Sequence, residues 1–233
     1  NKIFGGNLHI IFMGGAHLDP FYIDKFAEYG IDIYEGYGMS ECSPVISSNL
    51  PGCHKTGSIG RPLSNAEISF DNGEILVRGT SVMKGYYNMP KETAETLRDG
   101  WLHTGDKGYI DEDGFLFING RVKNLIILSN GENISPEEIE NKLALDDLVG
   151  EVIVTGEKNG LTARIYPEQE LVIAANMTED EVRKNLQAFI DKYNSEQPTY
   201  RRITGLVIRK NPFIRSSTKK IKRQEALIDE PMI

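Results

Sequence analysis

The sequence predicts a mixed α/β and α+β chain in three parts: a partial parallel sheet, a small antiparallel β subdomain and a small α+β domain. Three observations carry this. In the first fifty residues an apolar run, a helical spacing and a second apolar run follow one another, and strand–helix–strand order implies parallel pairing. Residues 56–118 instead place alternating segments around turn triplets, the signature of hairpins. Beyond residue 123, two Ser/Thr-x-x-Glu boxes open helices among strands.

Taken in order, Leu8–Met13 is an apolar strand stopped by Gly14 and Gly15. Leu18, Phe21, Tyr22 and Phe26 fall on one helical face that ends at Gly30. Ile31–Tyr34 is the second strand, running into a loop at Gly36, Tyr37 and Gly38. Strand C-termini in such a sheet are where a site forms. Ala66–Phe70 and Glu74–Arg78 alternate about Asp71-Asn72-Gly73, and Gly108–Asp111 and Phe115–Ile118 about Glu112-Asp113-Gly114. Pro90–Arg98 is a short helix between the two hairpins. Ser135, Pro136 and Glu138 form the first capping box, with Ile139 and Leu143 on the helix's apolar face. Val152–Thr155 and Leu161–Tyr166 read as strands. Thr178 and Glu181 open a helix with Val182, Leu186, Phe189, Ile190 and Tyr193 on one side, and Gly205–Arg209 is the last strand. The expected boundaries are 1–55, 56–122 and 123–233.

A chain of 233 residues with net charge −8 can bury a core, and its field does not favour nucleic acid or anionic membranes. No apolar run reaches the roughly 18 residues of a bilayer span, and the first residues lack a signal-peptide pattern. Cys42 and Cys53 are the only cysteines, which excludes a disulfide framework and a ligand-spaced zinc site. Cys42 reads as a small buried thiol and not a nucleophile, and the expected compartment is the cytoplasm.

Five segments carry chemistry: Glu-Gly-Tyr-Gly-Met-Ser-Glu at 35–41, Trp-Leu-His-Thr-Gly-Asp at 101–106, Gly-Arg-Val-Lys at 120–123, Gly-Glu-Asn-Ile-Ser-Pro-Glu-Glu-Ile-Glu at 131–140 and Ser-Thr-Lys-Lys-Ile-Lys-Arg at 217–223. Tyr37 between two glycines allows close backbone approach to a ligand and stacking of the ring on a purine. Ser40 offers a hydroxyl and Glu41 a carboxylate, suited to a phosphate oxygen and a Mg²⁺ ion. The Asp106 carboxylate can accept two ribose hydroxyls. Between Thr199 and Gln224 lie nine basic residues and no acidic one, either a solvated basic face or an electrostatic guide for phosphates. Each segment alone has a plainer reading: a core tyrosine, a turn-forming aspartate, a loop lysine.

Together and in this order, the segments closely resemble the adenylate-forming acyl-CoA synthetases, the AMP-forming ligases that include firefly luciferase and peptide-synthetase adenylation domains. The resemblance implies that this chain is the end of the large adenylate-forming domain followed by the mobile C-terminal domain. It implies an enzyme that activates a carboxylate with ATP and Mg²⁺ to acyl-AMP and then transfers the acyl group to coenzyme A. Tyr37 would pack on adenine within the nucleotide-binding set Glu35, Gly36, Tyr37 and Gly38. Ser40 (usually threonine there) would contact the α-phosphate, and Glu41 would assist the metal. Asp106 and Arg121 would hold the ribose. Gly14, Gly15 and Ala16 match the loop bordering acyl pocket and nucleotide, where the family often has proline at the position of His17. Lys123 matches the hinge, although Asn124 replaces a frequent aspartate. Gly131, after Ser129 and Asn130, matches the loop beside the pantetheine path. Lys220 matches the catalytic lysine, with Lys219 its rival where glycine is frequent.

Nothing in the chain matches the family's Ser/Thr/Gly-rich phosphate loop. The expectation is therefore a C-terminal part of a longer synthetase, inactive alone, whose truncated sheet self-associates through an apolar edge. The ending at 217–223 looks more like long-chain fatty acyl-CoA synthetases than peptide-synthetase domains. Two alternatives stand beside it: a non-catalytic AMP/ATP-binding module or partner subunit, and an adenylation domain that loads a carrier protein.

Overall fold

The computed structural model describes residues 4–128, 131–157, 160–217 and 219–226. The chain folds as two compact units, Asn1–Lys123 and Asn124–Ile233.

The first unit begins with β1 (Ile10–Met13), α1 (Pro20–Glu28) and β2 (Asp32–Gly38). Asp19 caps α1 by accepting from the Phe21 N–H at 2.8 Å, and Pro20 occupies the first turn, where a missing N–H is harmless. β1 and β2 pair in parallel from Ile10↔Asp32 to Met13↔Glu35. β2 then turns to an antiparallel partner, β3 (Val45–Ser48), which pairs with β4 (Arg61–Pro62). The predicted loop at 36–38 is therefore strand. A Cβ on Gly38 would lie 1.9 Å from the Pro44 carbonyl oxygen, so this glycine admits the neighbouring backbone.

The second sheet of the unit runs β5 (Ala66–Asp71), β6 (Glu74–Gly79), β8 (Trp101–Ile110), β7 (Leu97–Arg98), with β9 (Leu116–Arg121) also on β8. Asn72 (φ +48°) and Gly73 (φ +83°) make the β5–β6 turn in left-handed backbone, the pattern of a two-residue hairpin. The expected helix is α2 (Pro90–Thr96). Asp106, expected ahead of a strand, lies inside one, because β8 runs through the whole Trp101–Asp106 motif. Ile46, Ile75, Val77, Leu102 and Leu116 are fully buried together with Cys42 and Tyr37.

The second unit holds a short pair, β10 (Ile126–Ile127) and β11 (Asn133–Ile134), then α3 (Pro136–Leu143) and a three-stranded sheet. In that sheet β12 (Val149–Glu157) pairs antiparallel with β13 (Gly160–Pro167), which pairs in parallel with β14 (Ile203–Ile208). A helix not foreseen, α4 (Gln169–Ala174), precedes α5 (Glu179–Ser195), and α6 (Arg223–Ala226) follows the sheet. The Thr178–Glu181 capping box forms with both reciprocal bonds. The one at Ser135 does not: its hydroxyl donates to Glu137 at 2.9 Å, and Glu138 pairs with Arg201. Ile139, Leu143, Leu186 and Ile190 pack with Val154, Leu161 and Ile165 in one core. Among the described residues no helix is long and apolar enough to cross a membrane.

Candidate functional site

The first unit builds its polar centre on an irregularity in β8. Opposite β6, the register passes from Leu76↔His103 to Glu74↔Lys107, so β8 carries two residues more than its partner. Such a bulge frees backbone groups and re-aims side chains. Thr104, Gly105 and Asp106 occupy it, with Gly105 at φ +72°. The Thr104 hydroxyl donates to the Ile75 carbonyl at 2.8 Å and accepts the Asp106 N–H at 3.1 Å.

The Asp106 side chain, 12% exposed, is gripped from both sides. The Tyr37 hydroxyl donates to Oδ2 at 2.7 Å, and Arg121 Nε, directly across the β8–β9 ladder, donates to Oδ1 at 2.6 Å. Burial first, and the Asp106 charge second, push the Tyr37 phenol far above its ordinary range. It stays protonated and acts as a donor. The ring is 8% exposed and sits in the core, so it is not the open stacking face the sequence suggests. Arg121 keeps 41% of its side chain exposed.

Around this centre the other residues of the 35–41 segment take distinct places. Glu35 is buried and accepts the Leu18 N–H at 3.2 Å. Gly36 faces the loop after β1: a Cβ on Gly14 would lie 2.9 Å from the Gly36 carbonyl oxygen, so glycine is needed for that approach. Gly15 (φ +85°) and Ala16 are exposed in the same loop. Ser40 and Glu41 lie in a 3₁₀ turn, Ser40 exposed and Glu41 partly buried. Tyr86, which sequence reasoning missed, donates to Glu41 Oε1 at 2.8 Å. Its only local signal is an aromatic doublet after Gly85. Cys42 is fully buried, and burial pushes its thiol up to about 11, consistent with an inert core thiol.

In the second unit, Lys220 is exposed at the end of a tight turn. The Ser216 N–H donates to the Lys220 carbonyl at 2.8 Å, the Lys220 N–H to the Ser216 hydroxyl at 3.2 Å, and Arg215 pairs with Ile221. Lys219 sits at φ +62°, the left-handed backbone that glycine favours. The turn is anchored at both ends. Glu151 accepts from the Phe213 N–H at 2.6 Å and from Arg215 Nη2 at 2.6 Å, Ile221 packs on Ile153 and Phe213, and Arg223 pairs with Glu140. Burial raises the Glu140 carboxyl above its ordinary value, an effect that the Arg223 charge opposes. Of the nine basic residues between 199 and 224, Arg201, Lys210, Arg215, Lys222 and Arg223 form ion pairs inside this unit. Arg215 and Arg223 thus brace the turn, while Lys210 and Lys222 pair on the exposed surface.

Lys123 is exposed in a 3₁₀ turn at the boundary between the units. The Asn124 amide donates to Glu137 at 2.5 Å. Gly131 (φ +84°) closes a turn through its N–H to the Leu128 carbonyl at 2.9 Å. Ser129 and Asn130 of the expected pantetheine loop lie outside the described residues, as does Thr218.

The parallel strand pair, the bulged antiparallel sheet and the α+β second unit belong to an adenylate-forming fold. Residues 1–87 match the AMP-binding enzyme family and residues 123–229 the AMP-binding enzyme C-terminal domain. The chain belongs to the AMP-binding, adenylate-forming enzymes. It is 45% identical over 157 residues to a long-chain-fatty-acid–CoA ligase of Bacillus subtilis (strain 168), covering 61% of this chain and 28% of that protein. It is 32% identical over 237 residues to a 2-succinylbenzoate–CoA ligase of Bacillus cytotoxicus, covering 97% of this chain and 47% of that one. The solved structure of o-succinylbenzoate CoA synthetase from Bacillus subtilis with its acyl-adenylate intermediate superposes with a TM-score of 0.83 at 26% identity, over 99% of this chain and 49% of that chain. The chain thus spans less than half the length of these relatives.

The buried Glu35 generates a test. Burial, the larger effect, raises its carboxyl above the ordinary value against the Leu18 N–H, which lowers it. A raised carboxyl binds its proton more tightly folded than unfolded, so it contributes stability at low pH that is lost as pH rises through the folded value. Urea midpoints of wild type and Glu35→Gln at pH 4 and pH 8 should show the variant gaining relative stability at pH 8. An equal difference at both pH values would contradict this.

Proposed function

We propose that this chain is part of a ligase that joins a carboxylic acid to coenzyme A through an acyl-adenylate. A carboxylate oxygen attacks the α-phosphorus of ATP and pyrophosphate leaves, giving acyl-AMP. The thiol of coenzyme A then attacks the acyl carbonyl, giving the thioester, AMP and a proton. The observation that carries this reading is the Asp106 carboxylate, fixed by Tyr37 and Arg121 with one bond to each oxygen. A carboxylate has about four acceptor positions, so one on each oxygen remains for the two ribose hydroxyls.

Tyr37 serves to orient Asp106 beside the nucleotide. Glu35, Gly36, Gly38, Gly15 and Ala16 shape the neighbouring wall, and the exposed Ser40 hydroxyl meets the α-phosphate. Glu41 has one oxygen on Tyr86 and one for magnesium. Among the described residues no group of three ligating side chains exists, which fits an ion shared with ATP phosphates and water. Magnesium would supply positive charge against the phosphates. Lys220, a compact ammonium with rotatable donors, stabilises charge on the carboxylate and α-phosphate oxygens during adenylation. Lys219 holds the left-handed position that suits the family's frequent glycine, which favours Lys220. Lys123 serves as the hinge and Gly131 lies on the pantetheine path. We assign the acid to the fatty acids on the strength of the 45% identical relative, and the compartment to the cytoplasm. The activity needs the part of the relatives' length that this chain does not span.

Three outcomes are expected. By calorimetry the chain binds AMP, and Asp106→Ala weakens it roughly tenfold or more, the worth of charged hydrogen bonds; unchanged affinity would remove Asp106 from the site. In the complete enzyme, ATP–pyrophosphate exchange depends on fatty acids and falls roughly hundredfold or more with Lys220→Ala. Exchange driven by 2-succinylbenzoate alone would reassign the acid. Finally, Ile10 and Phe12 are 43% and 59% exposed on β1, and sedimentation should show self-association of this chain; a strict monomer would count against it.

A further inference from the structure

Within the bulge of β8, the Asp106 N–H is satisfied by Thr104 and its carboxylate by Tyr37 and Arg121. The Gly105 amide finds its own acceptor. It donates to Glu74 Oε1 at 2.9 Å, from the strand across the bulge. The other oxygen, Oε2, lies 3.0 Å from His103 Nδ1 and 3.9 Å from Arg98 Nη2. Arg98 Nη2 also lies 2.5 Å from His103 Nδ1. Nδ1 serves Glu74 when it carries the proton and Arg98 when it does not. The Glu74 side chain is 14% exposed and that of His103 12%, so this is a built contact and not a surface ion pair.

We propose that Glu74 is the positioning residue of the site: it holds the Gly105 peptide in its left-handed turn and so aims the Asp106 carboxylate. The inference rests on the reading of Asp106 as the ribose acceptor. A carboxylate is suited to the task because a charged acceptor bonds a backbone N–H about twice as strongly as a neutral one. Without it, the Gly105 N–H loses its acceptor and the glycine, permissive in its backbone, can relax to other angles. Asp106, the next residue, would then lose its aim and its bonds to Tyr37 and Arg121 would weaken. Nothing in the local sequence marks Glu74, which reads as the first residue of a hairpin strand.

The test compares AMP with 2′,3′-dideoxy-AMP by calorimetry, on wild type, Glu74→Ala, Glu74→Asp and Glu74→Gln. Wild type should prefer AMP by roughly tenfold or more, the value of hydrogen bonds to a charged group. Glu74→Ala should lose most of that preference while its dideoxy-AMP affinity stays within about twofold. Glu74→Asp, one methylene short of the Gly105 amide, should behave likewise, and it keeps the charge should the alanine variant fail to fold. Glu74→Gln retains an acceptor and should restore most of the preference. Variants that fold and still discriminate as wild type does, or that lose both nucleotides equally, overturn the role of Glu74 alone. A wild-type chain that binds both nucleotides equally, or neither, removes the ribose role of Asp106 and the proposal with it.

Discussion

Two residues of β8 have no counterpart on β6, and the polar centre of the first unit follows from that mismatch. A regular ladder would send alternate side chains to opposite faces and leave no backbone group free. Here the ladder breaks, and each amide released must find a substitute acceptor inside the protein. Thr104 and Glu74 provide them. The outcome is an aspartate displaced from the pleat and held between a phenol and a guanidinium. The hydrophobic cluster around Ile75, Leu102 and Leu116 keeps the flanking strand rigid enough for a bulge of this length to hold one shape.

Local signals in the sequence predicted local structure well. Asn72-Gly73 specified its hairpin and Thr178 with Glu181 its capping box, because all the partners lie within four residues. Elsewhere the competing partner is remote. The glycines at 36 and 38 look like a loop, but the strand continues because β3 comes so close that Gly38 can carry no side chain. Ser135 has the spelling of a capping box, yet Glu138 is drawn 63 positions along the chain to Arg201. Within the site, Asp106 and Arg121 are near neighbours across one turn and were legible from their motifs. Tyr86 and Glu74 were not, since each acts by a bond to a residue 31 or 45 positions away.

Charge in the second unit shows the same limit. A run of basic residues without acids suggests a positive surface when read along the chain. In three dimensions the acids come from other elements: Glu138 and Glu140 from α3, Glu151 from β12 and Glu179 from α5. The partly buried pairs Arg215–Glu151 and Arg223–Glu140 contribute less to stability than to geometry, and the geometry they define is the turn from Arg215 to Ile221. Lys219 and Lys220 are exposed within it.

Among the described residues the anchors of that turn lie on the C-terminal side of residue 124: Glu140, Glu151, Ile153, Phe213 and Arg223. A genetic crossover between Lys123 and Asn124 would therefore carry Lys220 together with the parts that shape its turn, and leave the clamped Asp106 with the other parent. Descent by recombination at that junction can join the aspartate clamp of one ancestor to the lysine turn of another without having to rebuild either.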